Sequence, residues 1–269
     1  MSDRRRLDVL LAQRGLFESR ARAAAAVLAG EVLLLPGRER ALKPGRMVPD
    51  SVEVELAVGP RYVSRGGLKL EHALDALALD VTAARALDVG ASTGGFTDCL
   101  LQRGAAHVVA LDVAYGELDW KLRTDPRVTV VERMNARSLD PRALPYAPGL
   151  IVMDLSFISL GKVLPAVLAC AAGRYDCLAM VKPQFEVGRE LVGKGGVVRD
   201  PRARAAALEA VGRCALDLGV SVMGYASSGL PGPKGNLETF VWLAEPGRPG
   251  SLTDLGAAVA AVEPVQERP

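Results

Sequence analysis

Short apolar runs recur through most of the chain, at residues 86–89, 107–112, 128–131, 150–154, 177–181, 220–225 and 237–243. Most are too short for helices and lack a period of two, so they read as strands buried on both faces. Stretches of helical spacing lie among them. Residues 67–79 carry Leu68, Leu70, Ala73, Leu74 and Leu77 on one stripe; residues 97–102 and 159–172 follow, the latter having to accommodate Pro165. Asp200-Pro201 caps and starts a helix to residue 218. The alternation predicts an α/β fold with a parallel sheet covered on both faces. Residues 188–200 read as a polar, glycine-rich loop, and the tail beyond 245 holds one short helix.

The first sixty residues follow a different pattern. Leu7, Leu10 and Leu11 have helical spacing that Gly15 ends, and Ser19 caps a second helix over 20–29 with Gly30 as its stop. A short strand at 32–35, turns at 36–38 and 43–46, and an alternating strand at 52–58 complete a small α+β unit. Residues 59–66, rich in glycine and proline, read as a linker between two domains.

Charge sharpens that division. The whole chain of 269 residues is nearly balanced at +2, yet residues 1–46 hold ten Lys or Arg against five acids. Arg20 and Arg22 lie in the first turn of a helix, where cations oppose the macrodipole and so serve something other than helix stability. A basic unit beside a slightly acidic one suggests a polyanionic partner; an ordinary solvated surface is the alternative. Four scattered cysteines and two histidines offer neither a disulfide framework nor a metal site. The N-terminus does not read as a signal peptide, and no apolar run approaches the ~20 residues of a membrane span. A cytoplasmic protein without membrane partner or metal is expected, and a monomer.

Candidate chemistry gathers at the strand ends. After the first strand of the βα series comes Asp88-Val89-Gly90-Ala91-Ser92-Thr93-Gly94-Gly95, a glycine-rich turn before a helix, where free N–H groups suit polar ligand atoms. The spacing is not that of most NAD sites, and a plain structural turn is the competing reading. Asp112 ends the next strand, where nucleotide-binding sheets place an acid at ribose hydroxyls. Asp154 and Lys182 end neighbouring strands, and Glu238 shares a strand face with Phe240 and Trp242. An acid there calls for a lysine partner, and a structural salt bridge explains it equally well. By spacing alone Lys69 lies off its helix's apolar stripe and reads as a solvated charge.

Two resemblances carry the reading further. Arg6-Leu7-Asp8-Val9-Leu10, Ser19-Arg20-Ala21-Arg22, Gly30-Glu31-Val32 and Lys43-Pro44-Gly45 resemble the alpha-L RNA-binding domain of the ribosomal protein S-four type. The stretches 63–70, 88–97, 154–160, 181–186 and 232–238 together resemble the TlyA family of S-adenosylmethionine-dependent ribosomal RNA 2′-O-methyltransferases, related to FtsJ and often labelled haemolysins. That resemblance implies a Rossmann-like methyltransferase domain over 67–245, after an RNA-binding domain over 1–59 and a linker over 60–66, with 246–269 as a tail. It implies a catalytic tetrad at Lys69, Asp154, Lys182 and Glu238. The implied cofactor, S-adenosylmethionine, falls on Asp88, Gly90, Ser92, Thr93, Gly94, Gly95 and Asp112, with Asn135 near the adenine and Phe157 packed beside the cofactor. Arg4, Arg6, Arg20, Arg22 and Arg65 are the RNA contacts expected, and ribosomal RNA in ribosomal subunits the partner. Lys182 would meet the 2′-hydroxyl as base or as steering group. Gly229 stands where many members have proline, a departure expected to loosen its loop. A membrane-active cytolysin and an inactive RNA-binding protein are the alternatives.

Overall fold

The computed structural model describes residues 4–28, 30–57 and 60–263 and divides into two compact units, Met1–Arg61 and Tyr62–Pro269. The expected strand end at Val58, Gly59 at the domain boundary and the helix end at Ala29 lie outside the described residues.

In the first unit, α1 (Leu7–Gln13) and α2 (Arg20–Leu28) pack Leu7, Leu10, Leu11, Ala23 and Val27 against β2 (Val32–Leu34). That strand lies between β3 (Glu39–Arg40) and β5 (Val54–Leu56) in an antiparallel sheet. The arginine run that reads as a basic arm is instead a strand, β1 (Arg4–Arg6), antiparallel to β4 (Met47–Pro49). Three identical side chains hide a period of two, and the partner lies forty residues away. Ser19 caps α2 as expected, accepting the Arg22 N–H at 3.2 Å.

The second unit is a seven-stranded sheet between helical layers. Its strands are β6 (Arg85–Val89), β7 (His107–Leu111), β8 (Val128–Val131), β9 (Leu150–Met153), β10 (Asp176–Val181), β11 (Ser221–Ser227) and β12 (Thr239–Ala244), in the order β11-β12-β10-β9-β6-β7-β8. The order reverses on either side of β6, which opens a crevice at the strands' C-terminal ends. The expectation of a wholly parallel sheet fails at β12, which is antiparallel to both neighbours. This reversal brings the start of β12 to the edge where the other strands end: Thr239 pairs with Val181, so Glu238 and Lys182 flank the same rung.

One face is covered by α3 (Arg65–Ala76) and α4 (Gly95–Gln102), where Leu70, Leu74, Phe96 and Leu100 meet Leu178 and Phe240. The other is covered by α6 (Leu164–Leu168), α8 (Pro201–Asp217) and α9 (Leu255–Val262). Two short helices, α5 (Trp120–Arg123) and α7 (Pro183–Glu186), follow β7 and β10. The helix expected over 159–172 is broken into a 3-10 turn, Leu160–Lys162, and α6, because proline is tolerated only in a helix's first turn. The stretch read as a linker is packed rather than free: Tyr62 is buried, the Val63 N–H donates to Asp98 at 2.9 Å, and Ser64 caps α3. Beyond residue 245, α9 completes the core, and Glu263 forms a buried ion pair with Arg204 at 2.5 Å.

Candidate active site

The glycine-rich turn between β6 and α4 is built by backbone conformations that side chains resist. Gly90 has φ +85°, and a Cβ there would meet the Asp154 carbonyl oxygen at 2.5 Å. Gly94, at φ +96°, has its Cα against Leu118 and Leu122, so it packs the turn onto α5 rather than lining the cleft. Asp88 likewise stands behind the turn, not among ligand-facing groups. It is fully buried and accepts from the Thr97 N–H at 2.9 Å and hydroxyl at 2.7 Å, fixing the first turn of α4. Burial without a cation pushes its carboxyl up to about 7.

In front of the turn lies a cleft of about 460 Å³. Its wall includes Gly90, Ser92, Thr93 and Gly95, together with Lys69, Asp154, Lys182 and Glu238. The four charged side chains are organised as two pairs. Lys69, which spacing assigns to solvent, is 6 % exposed and bonded to Glu238, the residue just before β12. Lys182 sits 2.5 Å from Asp154 and donates to the Ser156 hydroxyl at 3.0 Å. Ser156 is a site residue that the spacing of charged positions does not mark; its position two residues beyond the strand-end acid is the signal. Arg65 also borders the cleft, its guanidinium donating to the Pro231 carbonyl at 2.6 Å.

A second cavity, about 200 Å³, touches the other side of Gly90. Asp112 and Asn135 line it with Met134, Leu155 and Ile158. Asp112 accepts the N–H groups of Ser92 and Ala114, both at 2.8 Å, and so ties the glycine turn to the loop after β7. Asn135 caps the following 3-10 turn through the Arg137 N–H at 3.0 Å. Phe157 lines neither cavity. It is 91 % exposed with φ +65° and lies 5.3 Å from the Phe185 ring, since the left-handed backbone turns it outward. Gly229 takes φ +71°, which proline cannot adopt, and lies close against the His72 ring.

In the first unit, Arg6 grips buried Asp8 with two bonds of 3.0 Å and Arg20 adds one of 2.9 Å. These bonds, the Arg6 pair foremost, hold the Asp8 carboxyl down to about 2. Both guanidiniums remain about half exposed, while Arg4 and Arg22 are exposed. Among the described residues no cluster could hold a metal ion, and no helix is long and apolar enough to cross a membrane.

A doubly wound sheet with one antiparallel strand, a glycine turn after β6 and an acid after β7 define a Rossmann-type methyltransferase. The chain belongs to the FtsJ-like methyltransferase family, which it matches over residues 62–245, and within it to the TlyA group. It is 51% identical over 247 residues to the 16S/23S rRNA (cytidine-2′-O)-methyltransferase TlyA of Mycobacterium tuberculosis, covering 90% of this chain and 91% of that protein. Hemolysin A of Brachyspira hyodysenteriae is 37% identical, over 87% of this chain and 97% of its own. A solved structure described as a hemolysin from Streptococcus thermophilus is 41% identical and superposes with a TM-score of 0.71, covering 97% of this chain and 96% of that one.

Proposed function

We propose that this protein transfers a methyl group from S-adenosylmethionine to the ribose 2′-hydroxyl of a cytidine in ribosomal RNA, acting on ribosomal subunits. The observation that carries the reading is the convergence of Lys69, Asp154, Lys182 and Glu238 on one cleft with the glycine turn. The shape and polarity of the site fit the cofactor. Two cavities meeting at Gly90 suit an amino acid joined to a nucleoside, with Ser92, Thr93 and Gly95 toward the former and Asp112 and Asn135 toward the latter. Met134, Leu155 and Ile158 offer the flat apolar walls that a purine needs. When bound, the cofactor supplies an electrophilic methyl group.

The chain's own residues must orient the hydroxyl and accommodate its proton. An ammonium has three donors and no acceptor. At Lys182 one goes to Ser156 while Asp154 lies beside the ammonium as its counter-charge, which leaves donors for the ribose oxygen. The ion pair therefore favours steering over base action: Lys182 holds the oxygen and stabilises the charge that grows on it, while the hydroxyl proton passes to solvent water on the partly exposed Asp154 side. Lys69 and Glu238 close the dry side of the cleft with a neutral pair, which excludes water without adding net charge. In the first unit Arg6 and Arg20, oriented by Asp8, and exposed Arg4 and Arg22 suit RNA phosphates, which position a substrate without reading its sequence.

The test is to incubate the protein with ribosomal subunits and S-adenosylmethionine and to map 2′-O-methylation. A new methyl group on a ribosomal cytidine, lost with Lys182→Ala, is the expected result. Modification of naked tRNA alone would overturn the substrate assignment. Lysis of erythrocytes by the purified protein, with no methyl transfer to subunits, would overturn the enzymatic one.

A further inference from the structure

Two segments carry the second ion pair: the loop after β9, from Asp154 to Leu160, and the stretch after β10, from Lys182 to Glu186. They are joined twice. The inner link is Lys182 to Asp154 and Ser156, at 2.5 and 3.0 Å. The outer link is Glu186, whose two carboxylate oxygens accept separately from the Ser159 hydroxyl at 2.7 Å and the Leu160 N–H at 2.8 Å. Between them the Phe157 and Phe185 rings meet at 5.3 Å.

The loop needs such an outer anchor. Phe157 has φ +65°, a left-handed conformation that a bulky L-residue keeps only when its surroundings over-determine it. Upstream the chain is fixed by β9, where Met153 pairs with Ala179. Downstream Ile158 and Leu160 pack on the core, and Glu186 supplies the polar anchor at Ser159 and at the Leu160 N–H. Burial works against the Glu186 charge and raises its carboxyl above the usual range, while the two hydrogen bonds favour ionisation. A half-buried carboxylate with both oxygens engaged across two loops does more than decorate a surface.

We propose that Glu186, with Ser159 as its partner, is a positioning residue for the methyl-transfer reaction. It clamps the β9 loop against the β10 segment, so that Asp154 and Ser156 present the Lys182 amine at a fixed place in the cleft. The inference rests on the methyltransferase reading above. Its signature is a loss of turnover without a loss of binding, since Glu186 lines neither the 460 Å³ cleft nor the 200 Å³ cavity.

The test uses the full chain with Glu186→Ala, Glu186→Gln and Ser159→Ala. It measures kcat and KM on ribosomal subunits, the Kd for S-adenosylmethionine, and hydrogen exchange of the Leu160 amide. Glu186→Ala is expected to lower kcat roughly 10- to 100-fold, the scale of an ångström-sized misplacement. KM and Kd should stay within about 2-fold, and Leu160 should exchange faster. Glutamine can accept the Leu160 N–H and donate to the Ser159 oxygen, so Glu186→Gln should recover kcat to within about 3-fold of the wild type. Ser159→Ala should fall between the two.

Wild-type kcat in Glu186→Ala would overturn the proposal. So would kcat and melting temperature falling while KM and Kd rise, with no rescue by glutamine. If the wild-type protein leaves subunits unmethylated, the functional reading fails by itself. The Leu160 exchange rate then decides the clamp separately: unchanged exchange in Glu186→Ala overturns it.

Discussion

The two lysine–acid pairs of the cleft look alike in sequence and differ in setting. Lys69 and Glu238 have side chains only 8 % and 2 % exposed, and each is the other's charged partner. Lys182 and Asp154 are 12 % and 26 % exposed, with Ser156 as a third member. The first pair resembles a sealed wall: a buried charge is tolerable there only because its counter-charge is fixed beside it. The second has water access on the acid side and a donor to spare. One pair maintains the cleft, and the other is placed to act in it. The same residue types serve stability or chemistry according to what covers them.

The sharpest way to break that comparison is to remove one lysine at a time. Lys182→Ala should lower kcat roughly 10²–10⁴-fold, the range for a group that handles a proton or growing charge. It should cost only about 1 kcal/mol of stability, because Asp154 can turn to solvent. Methyl incorporation beside a thermal melt measures both. Lys69→Met should do the reverse in stability, stranding Glu238 in a dry wall at a cost of ~3–5 kcal/mol by urea denaturation. The double variant Lys69→Met with Glu238→Leu should regain most of that stability, since a well-packed apolar pair replaces a buried ionic one at little cost. If Lys69→Met were harmless to folding while the double variant were not, the division of labour would be wrong.

How far these roles could be read beforehand depends on whether their causes are local. The buried strands and the glycine turn are legible because their signals lie within ten residues: apolar runs, and glycines where φ must be positive. Lys69 is not legible from spacing, because its partner Glu238 lies 169 residues on; only the family resemblance places it in the cleft. β1 was hidden for the same reason, its partner Met47–Pro49 being distant and its own side chains identical. Asp88, Gly94 and Phe157 show a subtler limit. Each belongs to a motif beside the site, but the turn's backbone conformation decides which way a residue faces, and it sends these three behind, beneath and outside the cleft. Pro165 carried a local warning that the helical apolar pattern overrode.

A weaker effect tests the second cavity. Asp112→Ala removes the carboxylate that holds the Ser92 and Ala114 N–H groups and is proposed to meet the cofactor's ribose. Cofactor Kd measured by calorimetry should rise about 10-fold, equivalent to ~1.4 kcal/mol. Lys182 geometry should be unaffected, so kcat at saturating cofactor should change little. A large kcat loss at saturation would place Asp112 in the chemistry rather than in binding.

The smallest effect concerns the acid that has no lysine at all. Asp88 lies behind the turn with its carboxyl pushed up to about 7 by burial, where the pairs in the cleft each have a cation. A folded-state value raised above the unfolded one means that the folded form holds its proton more tightly. The associated stability is fully present below the ordinary aspartate range, near pH 4, and is lost as pH rises through 7. Asp88→Asn keeps the acceptor for the Thr97 N–H and hydroxyl but cannot ionise. Its melting temperature should therefore match or fall slightly below that of the wild type at pH 4–5, and exceed it by a few degrees at pH 8–9. Parallel melting curves across that window would mean that Asp88 is charged throughout, and that the N–H groups at the start of α4 do for it what lysine does for Asp154 and Glu238.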